Sequence, residues 1–297
     1  MFETLTEYLT SIIKDGDTYL FLFPIYGALI FGERVAHELL TNRRWDNFDA
    51  AANIFLTLTT FAINLVVGQL LPLALFAWLF FNLRFFTLGD GAFGWFMTFL
   101  LYDLCWYIDH RIGHRVGLFW AMHQVHHSSE EYNMTVASRG FVFDITFLSR
   151  PMFYLLPLVG VSPFQFIVVI IFSNIWGIAQ HTRLVNKLGW LDWLIATPSN
   201  HRVHHGCDEK YLDKNYGEVL MIWDHLFGTY QAEEEDPKYG VVHQINTYNP
   251  IKIQVLGVQR LLTKLRETKH WQDKLRCLYR PPGWEPPQTS GTRKHRS

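Results

Sequence analysis

Histidine in this sequence is concentrated in three short motifs whose spacing matches the turn of a helix. The chain has 14 histidines, and nine of them lie between positions 110 and 205. The motifs are His-Arg-Ile-Gly-His at 110–114, His-Gln-Val-His-His at 123–127 and His-Arg-Val-His-His at 201–205. Residues three or four positions apart share one face of a helix. We therefore expect eight imidazoles to meet in one volume: His110, His114, His123, His126, His127, His201, His204 and His205.

A shared metal centre is the chemistry that best explains such a cluster. Each imidazole has two ring nitrogens that need partners, so burying these rings together would be costly, and protonated rings would repel one another. A divalent cation takes one nitrogen from each ring. The eight nitrogens exceed the four that a tetrahedral zinc accepts, which predicts two metal ions with roughly three to five nitrogens each. Imidazole ligation suits iron, copper and zinc alike, so the spacing leaves the metal open.

Other histidines and the cysteines show no comparable pattern. No second histidine at ligand spacing accompanies His37, His225, His243, His270 or His295. The three cysteines form no Cys-x-x-Cys pair, so neither a disulfide framework nor a thiolate metal site is expected.

Charged residues near the motifs are expected to support the rings. Ring nitrogens that bind no metal need hydrogen-bond acceptors to fix their tautomers. The candidate acceptors are Asp103, Asp109, Asp208, Asp213 and Asp224. Arg111 and Arg202 each follow a motif histidine, and the pattern leaves open whether they bind lipid phosphate or pair with these carboxylates.

The segments that carry these motifs are typical of membrane helices. Apolar residues make up 49% of the chain and aromatic residues 16%, yet the net charge is only −1, which argues against nucleic acid as a partner. A membrane span needs about 20 mainly apolar residues. Long apolar stretches lie at 18–31, 50–83, 91–108, 141–159 and 163–179. We predict an all-α, multi-pass membrane protein with four to five transmembrane helices.

Charge distribution predicts how the chain is oriented. Basic residues cluster at 34–44, at 110–115 and after 183, which places these segments and the metal site on the cytoplasmic side. The segment 251–278 is amphipathic and basic, and is either an interfacial helix or a helix packed on the cytosolic part. We expect no signal peptide, one membrane-embedded domain over 1–280, and a disordered tail at 281–297.

Longer stretches around the motifs carry a family resemblance, which spans roughly positions 100–250. They include His-Gln-Val-His-His-Ser-Ser-Glu-Glu-Tyr-Asn at 123–133, Gln-His-Thr at 180–182 and Thr-Pro-Ser-Asn-His-Arg-Val-His-His-Gly at 197–206. They continue through Leu-Asp-Lys-Asn-Tyr-Gly at 212–217 to Phe-Gly-Thr-Tyr at 227–230. The combination resembles the fatty acid hydroxylase/sterol desaturase superfamily of membrane di-iron oxygenases, and is most similar to its alkylglycerol monooxygenase-like branch. The chain departs from that branch at Arg115, where an acidic residue is expected.

The resemblance implies a cofactor, a ninth ligand and a reaction. It implies that His181 also binds metal, that two iron ions are held in a cytosolic helical cap, and that O2 is a substrate. A membrane lipid or sterol-like molecule would then be hydroxylated. The sequence has no flavin, nicotinamide, haem or iron–sulfur motif, so an external donor, either a reductase or a reduced pterin, must supply electrons.

Three other functions compete with hydroxylation. A lipid desaturase would use the same centre and remove a second hydrogen. A zinc-dependent membrane hydrolase would need a general base, for which Glu130 or Glu131 is available. A metal transporter or sensor is less well supported, because the stretches 50–83 and 163–179 contain no charge, histidine or cysteine.

Overall fold

Helices account for the regular structure of this protein. The computed structural model describes residues 17–41, 45–63, 70–142 and 150–287. Within these residues there is no β-strand, and two isolated bridges join Ile195 to Leu220 and Gly206 to Tyr239. The all-α prediction is therefore confirmed for the described part of the chain.

The helices are numbered here in chain order. The longer ones are α1 (Asp17–Leu40), α2 (Asn47–Ile63), α3 (Leu70–Leu83), α4 (Ala92–Arg115), α5 (Gly117–His127) and α6 (Pro163–Gln180). Three short helices follow: α7 (Leu191–Leu194), α8 (Pro198–His204) and α9 (Ile222–Phe227). The last two are α10 (Pro250–Glu267) and α11 (Trp271–Tyr279).

Aromatic packing joins α3, α4 and α6 into one layer. Phe76 of α3 stacks on Phe166 of α6 with ring centres 4.5 Å apart, and Tyr102 of α4 stacks on Phe153 at 4.9 Å. All four rings are buried. On the outside of the same layer large apolar side chains are exposed, among them Phe93 of α4 at 71%. Exposed apolar surface of this kind is typical of contact with lipid or with another protein.

One described helix is long and apolar enough to cross a membrane. It is α6, while Pro72–Leu83 of α3 is apolar but shorter. The fourth predicted span, 141–159, differs from the structure: its described part contains the 3₁₀ helix Pro151–Leu155 followed by turns, and 143–149 lie outside the described residues. Pro157 and Gly160 do not favour a continuous helix here. The number of four to five spans remains a prediction.

The C-terminal helices pack against the helix that carries the second histidine motif. The predicted amphipathic segment is two helices, α10 and α11, and both contact α5. Gly257 lets α10 approach closely, because a Cβ at this position would lie 2.2 Å from the Ala121 carbonyl oxygen of α5. Of the predicted tail, 281–287 are described, and Lys264 Nζ donates to the Pro282 carbonyl oxygen over 3.0 Å.

Candidate metal centre

The structure brings all nine predicted histidines together, and they form two groups. Within each group, one ring nitrogen from every residue lies within 4.8 Å of the others. The five-histidine group contains His110, His114, His123, His127 and His204. The four-histidine group contains His126, His181, His201 and His205.

Helix geometry explains why a single motif serves both groups. On α5, His123 and His127 are four residues apart and share a face, while His126 is rotated by about 100° from His127 and points to the other group. The third motif also contributes to both groups, with His201 and His205 in the four-histidine group and His204 in the five-histidine group. The second and third motifs therefore each connect the two groups.

The start of α8 fixes where the third motif lies. Thr197 and Asn200 form a capping box, in which each side chain binds the other's backbone N–H, and Pro198 occupies the first helical position. His181 follows α6 directly and caps its C-terminus. The residues at the start of α8 and at the end of α6 therefore determine where the third motif and His181 lie.

Burial keeps these imidazoles neutral. Desolvation lowers the pKa of His123 to about 3 and the pKa values of His181 and His204 to about 4. It lowers the pKa of His126 and His205 as well, and neighbouring histidines add to the effect. Neutral rings have a free lone pair on one nitrogen, which is the form that binds metal.

Backbone carbonyl groups orient four of the rings. In each case Nδ1 lies at hydrogen-bond distance from a carbonyl oxygen and donates its proton there, which leaves Nε2 as the atom with the free lone pair. The pairs are His110 with Tyr216 (2.9 Å), His126 with Arg139 (3.2 Å), His181 with Gly177 (2.7 Å) and His204 with Lys214 (2.9 Å).

The remaining nitrogens fit metal ligation. Buried Nε2 atoms of His114, His204 and His205 have no hydrogen-bond partner in the described part of the chain. A buried polar atom without a partner is costly, and a cation would satisfy it. The donor set therefore fits divalent metal.

Two pairs of ring nitrogens face each other at a distance that suits neighbouring ligands. Nε2 of His123 and Nε2 of His127 are 3.2 Å apart, and those of His181 and His201 are 3.1 Å apart. Two ligands at right angles on a metal, with bonds of about 2.1 Å, would lie about 3.0 Å apart. Both groups contain one such pair.

Both groups border the same cavity. This cavity has a volume of about 430 Å³ and is lined by His110 and His123 from the five-histidine group and by His126, His181 and His201 from the other. The rest of its wall comes mainly from α1, α2, α4, α5 and α6. A molecule in the cavity would lie against both groups at once.

Comparison with known proteins agrees with this geometry. Residues 95–229, which carry all nine histidines, match the fatty acid hydroxylase family. This segment is thus similar to fatty acid hydroxylase domains. The family resemblance predicted from the motifs is thereby confirmed.

Proteins similar to this chain have lipid-modifying enzyme names. Human alkylglycerol monooxygenase is 39% identical over 206 residues, which are 69% of this chain and 46% of that protein. The ornithine lipid hydroxylase of Rhizobium tropici is 32% identical over 127 residues, 42% of this chain and 38% of its own. The Delta(7)-sterol 5(6)-desaturase of Saccharomyces cerevisiae is 27% identical over 157 residues, which are 48% of this chain and 38% of that protein. The chain thus spans less than half of each relative. No solved structure matches it significantly.

A single loop orients two rings of the five-histidine group. The carbonyl groups of Lys214 and Tyr216 accept from His204 and His110. Asn215 between them has a φ of 54°, in the left-handed region that asparagine tolerates. Its side chain donates to the carbonyl oxygens of Asn200 (3.1 Å) and Gln231 (2.7 Å). The loop conformation is therefore fixed from both sides.

The predicted acidic residues do not accept from the rings, which corrects the sequence prediction. Asp224 accepts from the backbone N–H groups of Tyr216 and Gly217, and Asp103 accepts from those of Val219 and Leu220. Asp224 thus positions the loop that carries the Lys214 and Tyr216 carbonyls (the carbonyl loop), and Asp103 holds the residues that follow it.

The other three predicted carboxylates bind other partners. Asp109 accepts from the Met152 N–H, and Asp208 accepts from the Lys238 N–H. Asp213 pairs with Arg115 at 2.6 Å and lies 3.9 Å from the His114 ring, which makes it the nearest of the five to an imidazole.

Both predicted arginines have protein partners. Arg202 forms a two-pronged ion pair with Glu233, with both N–O distances at 2.8 Å, and Glu233 was not among the predicted carboxylates. Arg111 donates to the Tyr107 hydroxyl over 3.2 Å. His37, His225, His243 and His270 belong to neither group, and His295 lies outside the described residues.

One supporting network was missed by the sequence analysis. Arg139 is 1% exposed and donates to Asp49 (3.0 Å), Asn53 (2.8 Å) and Ser128 (2.7 Å), while its own carbonyl accepts from His126. Arg139 and Asp49 are separated by 90 positions. No spacing rule connects residues so far apart, so no sequence signal pointed to this pair.

Proposed function

We propose that this chain is an O2-dependent hydroxylase of a membrane lipid or sterol-like molecule, with one iron ion in each histidine group. The observation that carries the proposal is that both groups border one cavity of about 430 Å³. Cavities of about 300–1,000 Å³ are typical of small-molecule sites. The names of the relatives support a lipid as the substrate.

The chain's own residues prepare the site for this reaction. When bound, the iron pair supplies the reduction of O2 and the removal of hydrogen from carbon. Carbonyl groups on Nδ1 hold the rings so that Nε2 faces the metal position, and the cavity wall positions the lipid and excludes water. The overall reaction converts one C–H bond, O2, two electrons and two protons into C–OH and water.

The proposed reaction needs electrons from outside the chain, and it takes place at a membrane. An external reductase or a reduced pterin supplies the two electrons. The chain is a multi-pass membrane protein of one domain over 1–280, with the metal centre on the cytoplasmic side. The apolar exterior of α4 and α6, with Phe93 and Phe172 exposed, supports contact with lipid.

Desaturation by the same centre is the second candidate, and the match to a sterol desaturase favours it. The two outcomes differ in whether oxygen is transferred or a second hydrogen is removed. A zinc hydrolase gains no support, because Glu130 is exposed and neither Glu130 nor Glu131 lines the cavity.

Comparative lipid analysis tests the proposal. Membrane lipids of cells that express the chain are compared by mass spectrometry with those of cells without it, under iron-replete aerobic growth. Hydroxylation predicts a product at +16 mass units that incorporates ¹⁸O from ¹⁸O2, and desaturation predicts −2. A product that takes its oxygen from water and forms without O2 would overturn both.

Metal analysis separates the cofactor from the reaction. The purified protein is expected to contain two iron ions per chain, fewer in His126→Ala and His204→Ala, and two in the matched control His243→Ala, whose ring is exposed and outside both groups. Zinc in place of iron, or full iron content in both ligand variants, would contradict the assignment.

A further inference from the structure

One wall of the cavity contains polar groups that the metal centre does not use. They are Arg150, Trp106 and Glu218, and all three line the cavity together with His110 and His201. The Arg150 guanidinium lies over the Trp106 ring, 3.7 Å from its centre, and makes no hydrogen bond or ion pair with the described residues. Such a group at the edge of a cavity is available to a ligand.

Trp106 adds a second unsatisfied donor to this wall. Its indole N–H is buried and has no hydrogen-bond partner in the part of the chain that the structure describes. Its ring centre lies 6.2 Å from that of His110. The free donors are therefore at the metal end of the cavity. An N–H in this position calls for an acceptor oxygen on whatever occupies the cavity.

Glu218 supplies a carboxyl group to the same wall. It is 4% exposed, and no side-chain hydrogen bond holds it among the described residues. Gly177 leaves room for it, because a Cβ there would lie 2.7 Å from Oε1. The Glu218 backbone carbonyl is fixed by Gln180, the residue before His181. Burial raises the pKa of Glu218 to about 8, and Arg150 acts in the opposite direction.

We propose that Arg150, Trp106 and Glu218 bind the hydroxyl-bearing headgroup of the lipid at the metal end of the cavity. The inference rests on the proposed function. A hydroxyl has two lone pairs and one proton, so it can accept from both Arg150 and Trp106 and donate to Glu218. A phosphate or carboxylate would satisfy the donors but would bring a negative charge into a buried wall where desolvation already disfavours the charged form of Glu218. The carbon that is oxidised then lies close to the headgroup and not in the middle of the chain.

Ligand binding without turnover tests the headgroup site. Iron-loaded protein in detergent is kept under argon, and the binding of tritiated 1-O-hexadecylglycerol, hexadecyl phosphate and hexadecane is measured. Arg150→Met and Glu218→Leu are each expected to weaken binding of 1-O-hexadecylglycerol by about tenfold or more, because each removes a polar or charged hydrogen-bonding group. Binding of hexadecane and the iron content should stay unchanged.

Matched controls separate headgroup binding from general damage. Arg84→Met removes a guanidinium that also lies over a ring, that of Phe80, but outside the cavity, and Glu234→Leu removes an exposed carboxylate. Both should bind all probes like the parent protein. Equal losses for 1-O-hexadecylglycerol and hexadecane, or a preference of the parent protein for hexadecyl phosphate, would overturn the assignment.

Assays in air separate this inference from the proposed function. If the parent protein binds the probes as expected but forms no O2-dependent product, the proposed function fails and the headgroup site stands. If it forms product while Arg150→Met and Glu218→Leu leave binding and the position of oxidation unchanged, the headgroup site fails and the proposed function stands.

Discussion

The two histidine groups are similar in burial but differ in how the fold supports them. Two rings of the five-histidine group are oriented by the loop around Asn215, which is held by hydrogen bonds to backbone and to Asp224. In the four-histidine group, His126 is oriented by the carbonyl of Arg139, whose guanidinium is buried against Asp49. One group depends on a loop conformation and the other on a buried ion pair, so different substitutions should damage each.

Removing a ligand should have the largest effect, and the four-histidine group should be the more sensitive. His201→Ala leaves three rings in its group, whereas His114→Ala leaves four in the other. We expect His201→Ala to lose one iron per chain and more than about 100-fold in activity, since even outer partners of metal ligands contribute roughly 10–100-fold. Iron analysis of both variants checks the asymmetry. Equal iron loss would show that the fifth histidine adds no tolerance.

Breaking the buried ion pair should come next. Asp49→Asn leaves the Arg139 charge buried without its partner, which costs about 3–5 kcal/mol in the free energy of unfolding. Thermal unfolding in detergent measures it. The control is Asp236→Asn, which breaks the more exposed pair with Arg183 and should cost about 1 kcal/mol or less. Similar losses in the two variants would refute the role given to burial.

A smaller, selective effect is expected from the loop carboxylate. Asp224→Asn weakens the acceptor for the Tyr216 and Gly217 N–H groups, so the metal affinity of the five-histidine group should fall about 10–100-fold. In competition with chelators of increasing affinity, one iron ion should be released by a weaker chelator than in the parent protein. The other should be released by the same chelator as in the parent protein. Asp208→Asn, whose carboxylate accepts from Lys238 away from both groups, is the control. Release of both ions by a weaker chelator would contradict the conclusion that different parts of the fold support the two histidine groups.

The smallest effect should come from the far end of α6. Ser162 caps this helix and accepts from the Gln165 N–H over 3.2 Å, 19 positions before His181. Ser162→Ala should cost about 1 kcal/mol in stability. Both iron ions should remain bound, because His181 is held by the Gly177 carbonyl at the other end. Loss of iron at unchanged stability would mean that the cap positions the ligand.

Sequence reasoning predicted the histidines better than it predicted their surroundings. Spacing placed eight of the nine, because one helical turn brings i and i+4 to one face, while His181 came from the family resemblance alone. The division into five and four was not predictable, since it depends on how α5 and α8 are rotated against each other. The acceptors on the rings were assigned to aspartates, but they are backbone carbonyls, which have no signature in the sequence.

Apolar composition was a weaker guide to the fold than the histidine spacing was to the site. It predicted an apolar span at 141–159, whose described part is a 3₁₀ helix and turns. Pro151 and Pro157 break the helix there, and hydropathy does not register this effect. The link between Asp49 and Arg139 was also beyond reach, because only the tertiary fold brings α2 beside the end of α5.

The acceptors of the carbonyl loop belong to the backbone, and this determines which substitutions the protein should tolerate. Main-chain oxygens are present whatever side chain a residue has, so replacing Lys214 or Tyr216 deletes no acceptor for His204 or His110. Inserting or deleting one residue between 206 and 216 would shift both carbonyls out of register together. The site should therefore accept other side chains at positions of this stretch that, unlike Asn215, do not hold the loop, while the length of the stretch stays fixed.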